Sequence, residues 1–124
     1  MKIYKIAQHN ILTPFEISNG TTSEYKIDWL ERHESQYFKN GGWTFYHATP
    51  RDTFRNMQEI RSGSLMTDSI ENAIHYAGRD RDLSSNKMVV FELVLNPNEF
   101  DTGIFPSLAK DMPINSPSVK LVKG

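Results

Sequence analysis

Apolar positions along the chain change their period several times, and each change predicts an element. Ile70, Ala73, Ile74 and Ala77 fall at i, i+3, i+4 and i+7, the stripe of a helix with one buried face. Asp68 or Ser69 caps its start and Gly78 stops it. Residues 87–95 (KMVVFELVL) form the strongest strand signal in the chain, and Asn96-Pro97-Asn98 ends it. Residues 43–47 read as a strand rich in aromatics, with Pro50 closing it. Asp52 then caps a predicted helix to about residue 61, with Phe54, Met57 and Ile60 inward and Ser62-Gly63 as its stop. Residues 64–67 are a short extended segment.

The flanks are less regular. Residues 3–7 predict a short strand, and 13–22, with Pro14, Asn19 and Gly20, a loop. Ser23 caps a helix to about residue 39, carrying Ile27, Leu30, Tyr37 and Phe38 at loose helical spacing with Trp29 beside them. Asn40-Gly41-Gly42 stops it. The aromatics Trp29, Tyr37 and Phe38 read as exposed and free to cover the core, gate a cleft or dock a partner. Residues 79–87 are a charged, mobile loop, and 118–123 a final strand after a tail carrying Pro106, Pro113 and Pro117. Strands separated by two compact helices, then strands without helices between them, predict an α+β domain. The expected organisation is one domain over 1–124, with a preface at 1–42 and a ligand-binding core at 43–124.

Composition narrows the function classes. The 124 residues suit one domain. Fourteen Lys and Arg against 15 Asp and Glu leave a net charge of −1, so there is no electrostatic footprint for holding nucleic acid by its phosphates. A nucleic-acid end as substrate stays open. Cysteine is absent, which removes disulfides, thiolate zinc sites and a Cys nucleophile. Four His without an H-x-x-x-H pair offer no metal site, and His9 and His33 carry no signal. No apolar run approaches the roughly 20 residues of a bilayer span, and no signal peptide is visible. The expectation is a cytoplasmic protein with no membrane partner. Neither G-x-G-x-x-G nor G-x-x-x-x-G-K-[ST] occurs, which disfavours a Rossmann site and a P-loop.

Candidate chemistry concentrates in two places. Phe45-Tyr46-His47-Ala48-Thr49-Pro50 puts an imidazole at the end of an aromatic strand. Tyr76 lies off the buried stripe of the helix at 70–77, where its ring can wall a slot for a flat heterocycle. His75, beside it, sits on another helical face and reads as exposed. Strand–His-x-Thr, a helix ending in Gly, a small-residue strand and a capped helix with A-x-x-Y resemble the ADP-ribosyltransferase superfamily. More narrowly they resemble its His-Tyr-Glu branch, which includes the poly-ADP-ribose polymerases. His47-Ala48-Thr49 matches the branch's His-Gly-(Thr/Ser) strand end. Asp68 and Tyr76 match the Asp that ends a later strand and the Tyr that stacks on nicotinamide. The likeness runs from about Trp43 to Leu95, more weakly to Val122.

The resemblance implies a compact split β-sheet with short flanking helices and NAD⁺ as substrate. It assigns His47, Tyr76 and Asp111 to catalysis. It assigns His47, Ala48, Thr49, Arg51, Ser64, Thr67 and Tyr76 to NAD⁺ binding, with Arg55 and Arg61, or Arg79 and Arg81, as further contacts to the pyrophosphate or substrate. The chain departs from the branch at three points: Leu65 stands for the strand tyrosine, Ala73 for the serine that binds the carboxamide, and Ala48 for the glycine after the His. The branch's catalytic Glu opens a late strand. No Glu follows Glu99 here, so Asp111 is the candidate, with Glu92 and Asp101 behind it. The implied function is a mono-ADP-ribosyltransferase acting on a macromolecule, with a protein as the expected target and a nucleic acid left open. The alternatives are a catalytically degenerate binding or inhibitor protein, such as a phage or mobile-element effector, and an RNA 2′-phosphotransferase-like enzyme. Near-neutral charge and a single well-placed His weigh against the last.

Overall fold

A computed structural model describes residues 4–6, 10–12, 24–78 and 87–124. Its centre is a four-stranded antiparallel sheet whose strands lie in the order 119–123, 88–95, 42–50 and 38–39. Strand β4 (Gly42–Pro50) pairs along its whole length with β6 (Met88–Leu95), from Trp43 opposite Leu95 to Pro50 opposite Met88. Strand β10 (Val119–Lys123) covers the other edge of β6, and β3 (Phe38–Lys39) covers the first residues of β4. Near the N-terminus, β1 (Tyr4–Ile6) pairs with β2 (Asn10–Leu12). Mixed helix and antiparallel strand make the fold α+β, as the order of elements predicts.

Alternation along β4 and β6 sends side chains to two cores. Trp43 and Phe45 of β4, with Val89, Phe91, Leu93 and Leu95 of β6, face α1 (Glu24–Tyr37) and the C-terminal segments. Trp43, Phe45, Phe91 and Phe100 are all fully buried there. Tyr46 and Ala48, with Met88 and Val90, face α3 (Ile70–Gly78). Ala73 of α3 is buried against them, and Ile70, Ile74 and Ala77 pack around it, so the predicted stripe is the helix's inward face. Ser69 caps α3: its hydroxyl accepts the Asn72 amide N–H at 3.0 Å.

Several elements differ from the sequence expectation. Asn40-Gly41 does not merely stop a helix. The helix ends at Tyr37, and Asn40 (φ 58°) and Gly41 (φ 81°) form the two-residue turn of a β3–β4 hairpin. Both central residues at positive φ match strand twist, the reason Asn-Gly favours hairpins. The predicted helix over 52–61 is a single turn, α2 (Arg51–Phe54), and its N-cap is Pro50 without a side-chain hydrogen bond, not Asp52. Ile60 is buried as expected but in β5 (Glu59–Ile60), which pairs with β9 (Met112–Pro113). The spacing of Phe54, Met57 and Ile60 suits a helix, and a long-range strand pairing overrides it. Trp29 and Tyr37 are core residues, not exposed aromatics, and Phe38 is half-buried beside Trp43. A hairpin of β7 (Phe100–Asp101) and β8 (Ser107–Leu108) was not foreshadowed by periodicity. The loop expected at 13–22 and nearly all of that expected at 79–87 lie outside the described residues.

Candidate functional site

The site grows from the edge of β4 that β3 leaves uncovered. There Tyr46 exchanges both backbone hydrogen bonds with Thr67, each at 2.9 Å. Two residues on, Ala48 turns its N–H and C=O toward the same edge. The incoming segment does not follow: Leu65 instead bridges to Ser107, and the Met66 N–H donates to the Pro106 carbonyl at 2.9 Å. The two backbones therefore diverge beyond the Tyr46–Thr67 bridge. Among the described residues no backbone group pairs with Ala48 on that edge.

A cavity of about 250 Å³ occupies the gap. Its floor is Tyr46, His47 and Ala48 of β4, and Leu65, Met66 and Thr67 form one side. Ala73, Tyr76 and Ala77 of α3 form the other, with Phe105 at the rim. Small side chains, Ala48 on the floor and Ala73 and Ala77 on the α3 wall, leave the volume open. The Tyr76 ring meets the Phe105 ring edge-on at 4.9 Å, and both rings stay partly exposed.

His47 is oriented by its surroundings. Its Nδ1 lies 2.9 Å from the Leu65 carbonyl oxygen. A carbonyl only accepts, so Nδ1 carries the proton and Nε2 is left as the acceptor of a neutral ring. Burial pushes the imidazole below its ordinary 6.5, against a smaller upward pull from the Leu65 carbonyl. The ring is therefore neutral at physiological pH. Tyr46 donates its hydroxyl to Glu92 at 3.0 Å, and burial, then Glu92, raises the phenol above its ordinary 10.0.

The structure brings together His47, Ala48, Thr67 and Tyr76 around one cavity. Thr67 donates its hydroxyl to the Ser69 carbonyl at 2.8 Å. The other candidates lie elsewhere. Thr49 is buried in β4 and does not line the cavity. Arg51 donates to the carbonyl of Gly124, and Arg55 pairs with Asp52 at 3.7 Å on an exposed turn. Ser64 holds the Leu108 N–H on its carbonyl at 3.0 Å, and Arg61 is exposed. Arg79 and Arg81 fall outside the described residues.

The three candidate acids are dispersed. Asp111 accepts the Ser62 amide N–H at 2.8 Å, Glu92 accepts from Tyr46, and Asp101 is exposed on β7 opposite Ser107. None of them is among the residues that line the cavity. Leu65, where the strand tyrosine would stand, is exposed at the rim, and Ala73 lines the cavity where a serine would stand. Sequence reasoning missed Phe105 as a lining residue, and likewise Tyr46 and Met66. Phe105 lies in an irregular turn with no periodicity, and the Leu65–Ser107 bridge with the Met66–Pro106 hydrogen bond carries it to the cleft. Among the described residues no cluster of His, Asp or Glu is placed to hold a metal ion, and no helix is long and apolar enough to cross a membrane. Searches against protein families, curated proteins and solved structures found no match.

Proposed function

We propose that this chain binds NAD⁺ in the His47–Tyr76 cleft and transfers ADP-ribose to a macromolecular target, as its resemblance to the ADP-ribosyltransferases implies. One observation carries the reading: His47, Tyr76 and Ala48, whose backbone pairs with no described group on that edge of β4, line a single cavity. A carboxamide needs one donor and one acceptor side by side, and the Ala48 N–H and C=O supply both. Nicotinamide stacks on Tyr76, and His47 Nε2 accepts a ribose hydroxyl. The cavity is smaller than the roughly 300–1,000 Å³ that encloses a whole drug-sized ligand. It takes the nicotinamide end and leaves the rest of the dinucleotide along the rim.

Breaking the nicotinamide–ribose bond builds positive charge on the ribose, which a nearby carboxylate stabilises. No described lining residue is a carboxylate. That observation favours a second reading, an NAD⁺-binding protein without turnover. Nicotinamide release and thermal stabilisation in the presence of NAD⁺ separate the two. NAD⁺ at 100 times its Kd stabilises the fold by about 2.7 kcal/mol. Release that disappears in both His47→Ala and Asp111→Ala supports transfer with Asp111 as the acid. Release lost in Glu92→Ala but kept in Asp111→Ala moves the acid to Glu92. Stabilisation without release supports the second reading, and the absence of both overturns NAD⁺ binding.

A further inference from the structure

Tyr76 has a second pocket on its other side. This pocket, about 160 Å³, shares Met66, Thr67, Tyr76 and Phe105 with the cleft and adds Asp68, Asn72, Gln36 and Tyr37. The Asp68 carboxylate is its charged group. Oδ2 accepts from Gln36 Nε2 and Oδ1 from Asn72 Nδ2, each at 2.9 Å. Both donors are neutral amides, so they orient the carboxylate without cancelling its charge. The Asp68 backbone N–H adds a third hydrogen bond to the carboxylate, which has about four acceptor sites in all. Hydrogen bonds, that of Gln36 foremost, hold the Asp68 carboxyl below its ordinary 3.8, so it is ionised at neutral pH. Among the described residues Lys39 is the cation that acts on it, through a smaller coulombic pull. Aromatic surface surrounds the charge: Tyr76 and Phe105 are about 40 % exposed beside it, and Tyr37 lies beneath. Burial, then the Asp68 charge, pushes the Tyr37 phenol up to about 12, which makes it a standing donor rather than a second anion.

We infer that this pocket is a subsite for a guanidinium side chain, which on the reading of the cleft given above is the acceptor group of a protein target. A carboxylate fixed by Gln36 and Asn72 attracts the guanidinium fork, and ring faces suit its flat cation. Lysine's compact ammonium gains less from both. The four shared residues place such a group next to the nicotinamide end of the cleft. Transfer then breaks the ribose C1′–N bond, and nicotinamide leaves as a neutral amide with the bonding pair. A guanidinium nitrogen forms the new C1′–N bond, and one guanidinium proton goes to solvent. Ile104, 95 % exposed at the same rim, gives the target chain an apolar contact.

The test is an NMR titration of the intact chain with agmatine, with n-butylamine as the ammonium control. Saturable shifts at Asn72 and Tyr76, with n-butylamine weaker, support the subsite. Asp68→Asn is expected to weaken agmatine at least about tenfold, the loss of one charge-assisted pair. Asp68→Glu is expected to keep part of the binding, and NAD⁺ stabilisation is expected to survive both changes. No saturable shift in the wild-type chain, or equal binding of the two amines, overturns the proposal. The titration needs no turnover, so loss of NAD⁺ binding with agmatine binding intact would strike the cleft reading alone.

Discussion

The two faces of the central sheet are filled in opposite ways. Toward α1, Trp29, Trp43, Phe45 and Phe100 meet at tilted angles with centroid distances of 4.7–6.5 Å, and every one is buried. Toward α3, the matching positions are Ala48, Ala73 and Ala77, and a cavity remains. Large rings close one side and carry the stability. Small side chains hold the other side open and leave its surface for a ligand. The same strands serve both, because alternate residues of β4 face opposite ways: Phe45 belongs to the first core, Tyr46 and Ala48 to the second.

This contrast is open to attack from either face. Phe100→Ala removes a fully buried ring from the aromatic side and is expected to cost about 3–5 kcal/mol, read as a lower urea midpoint. Ala77→Leu fills the cavity side instead. Its expected effect on stability is about 1 kcal/mol or less, but the roughly 2.7 kcal/mol of stabilisation from NAD⁺ at 100 times its Kd should vanish. If NAD⁺ stabilises Ala77→Leu as it does the wild type, the open face is not its site. A smaller effect comes from pH. His47 has a lowered value in the folded state, so between that value and about 6.5 the unfolded chain binds the extra proton. Its contribution is whole above about pH 6.5 and is lost as pH falls below it. Urea midpoints at about pH 7.5 and about pH 5.5 should differ less in His47→Gln than in the wild type.

The parts of the fold legible in the sequence are those whose signal is local. The α3 stripe, the Ser69 cap and the apolar run of β6 all appear as expected, and so does Tyr76 on α3. His47, expected at a strand end, lies within β4, which runs on to Pro50 because Ala48 and Thr49 continue the pairing with β6. Segments whose conformation depends on distant partners misled. Ile60 looked helical because Met112 is absent from its neighbourhood in sequence, and Trp29 looked exposed because Phe100 and Trp43 are. Asn40-Gly41 carried a readable hairpin signal that the helix before it obscured. Phe105 had none, since its place at the cleft rests on long-range pairing, the Leu65–Ser107 bridge and the Met66–Pro106 hydrogen bond. Asp111 was chosen for its position before a late strand, and its carboxylate is used on the Ser62 amide.

The central claim is that His47 and Tyr76 bound one NAD⁺ site. Calorimetric titration of NAD⁺ into the wild-type chain and into Tyr76→Ala tests it most directly. Saturable binding to the wild type, weakened by at least about tenfold without the ring, is the predicted result, from the roughly 1–3 kcal/mol of a base stacked on an aromatic side chain. No binding to the wild type, or equal affinity in both, would contradict it.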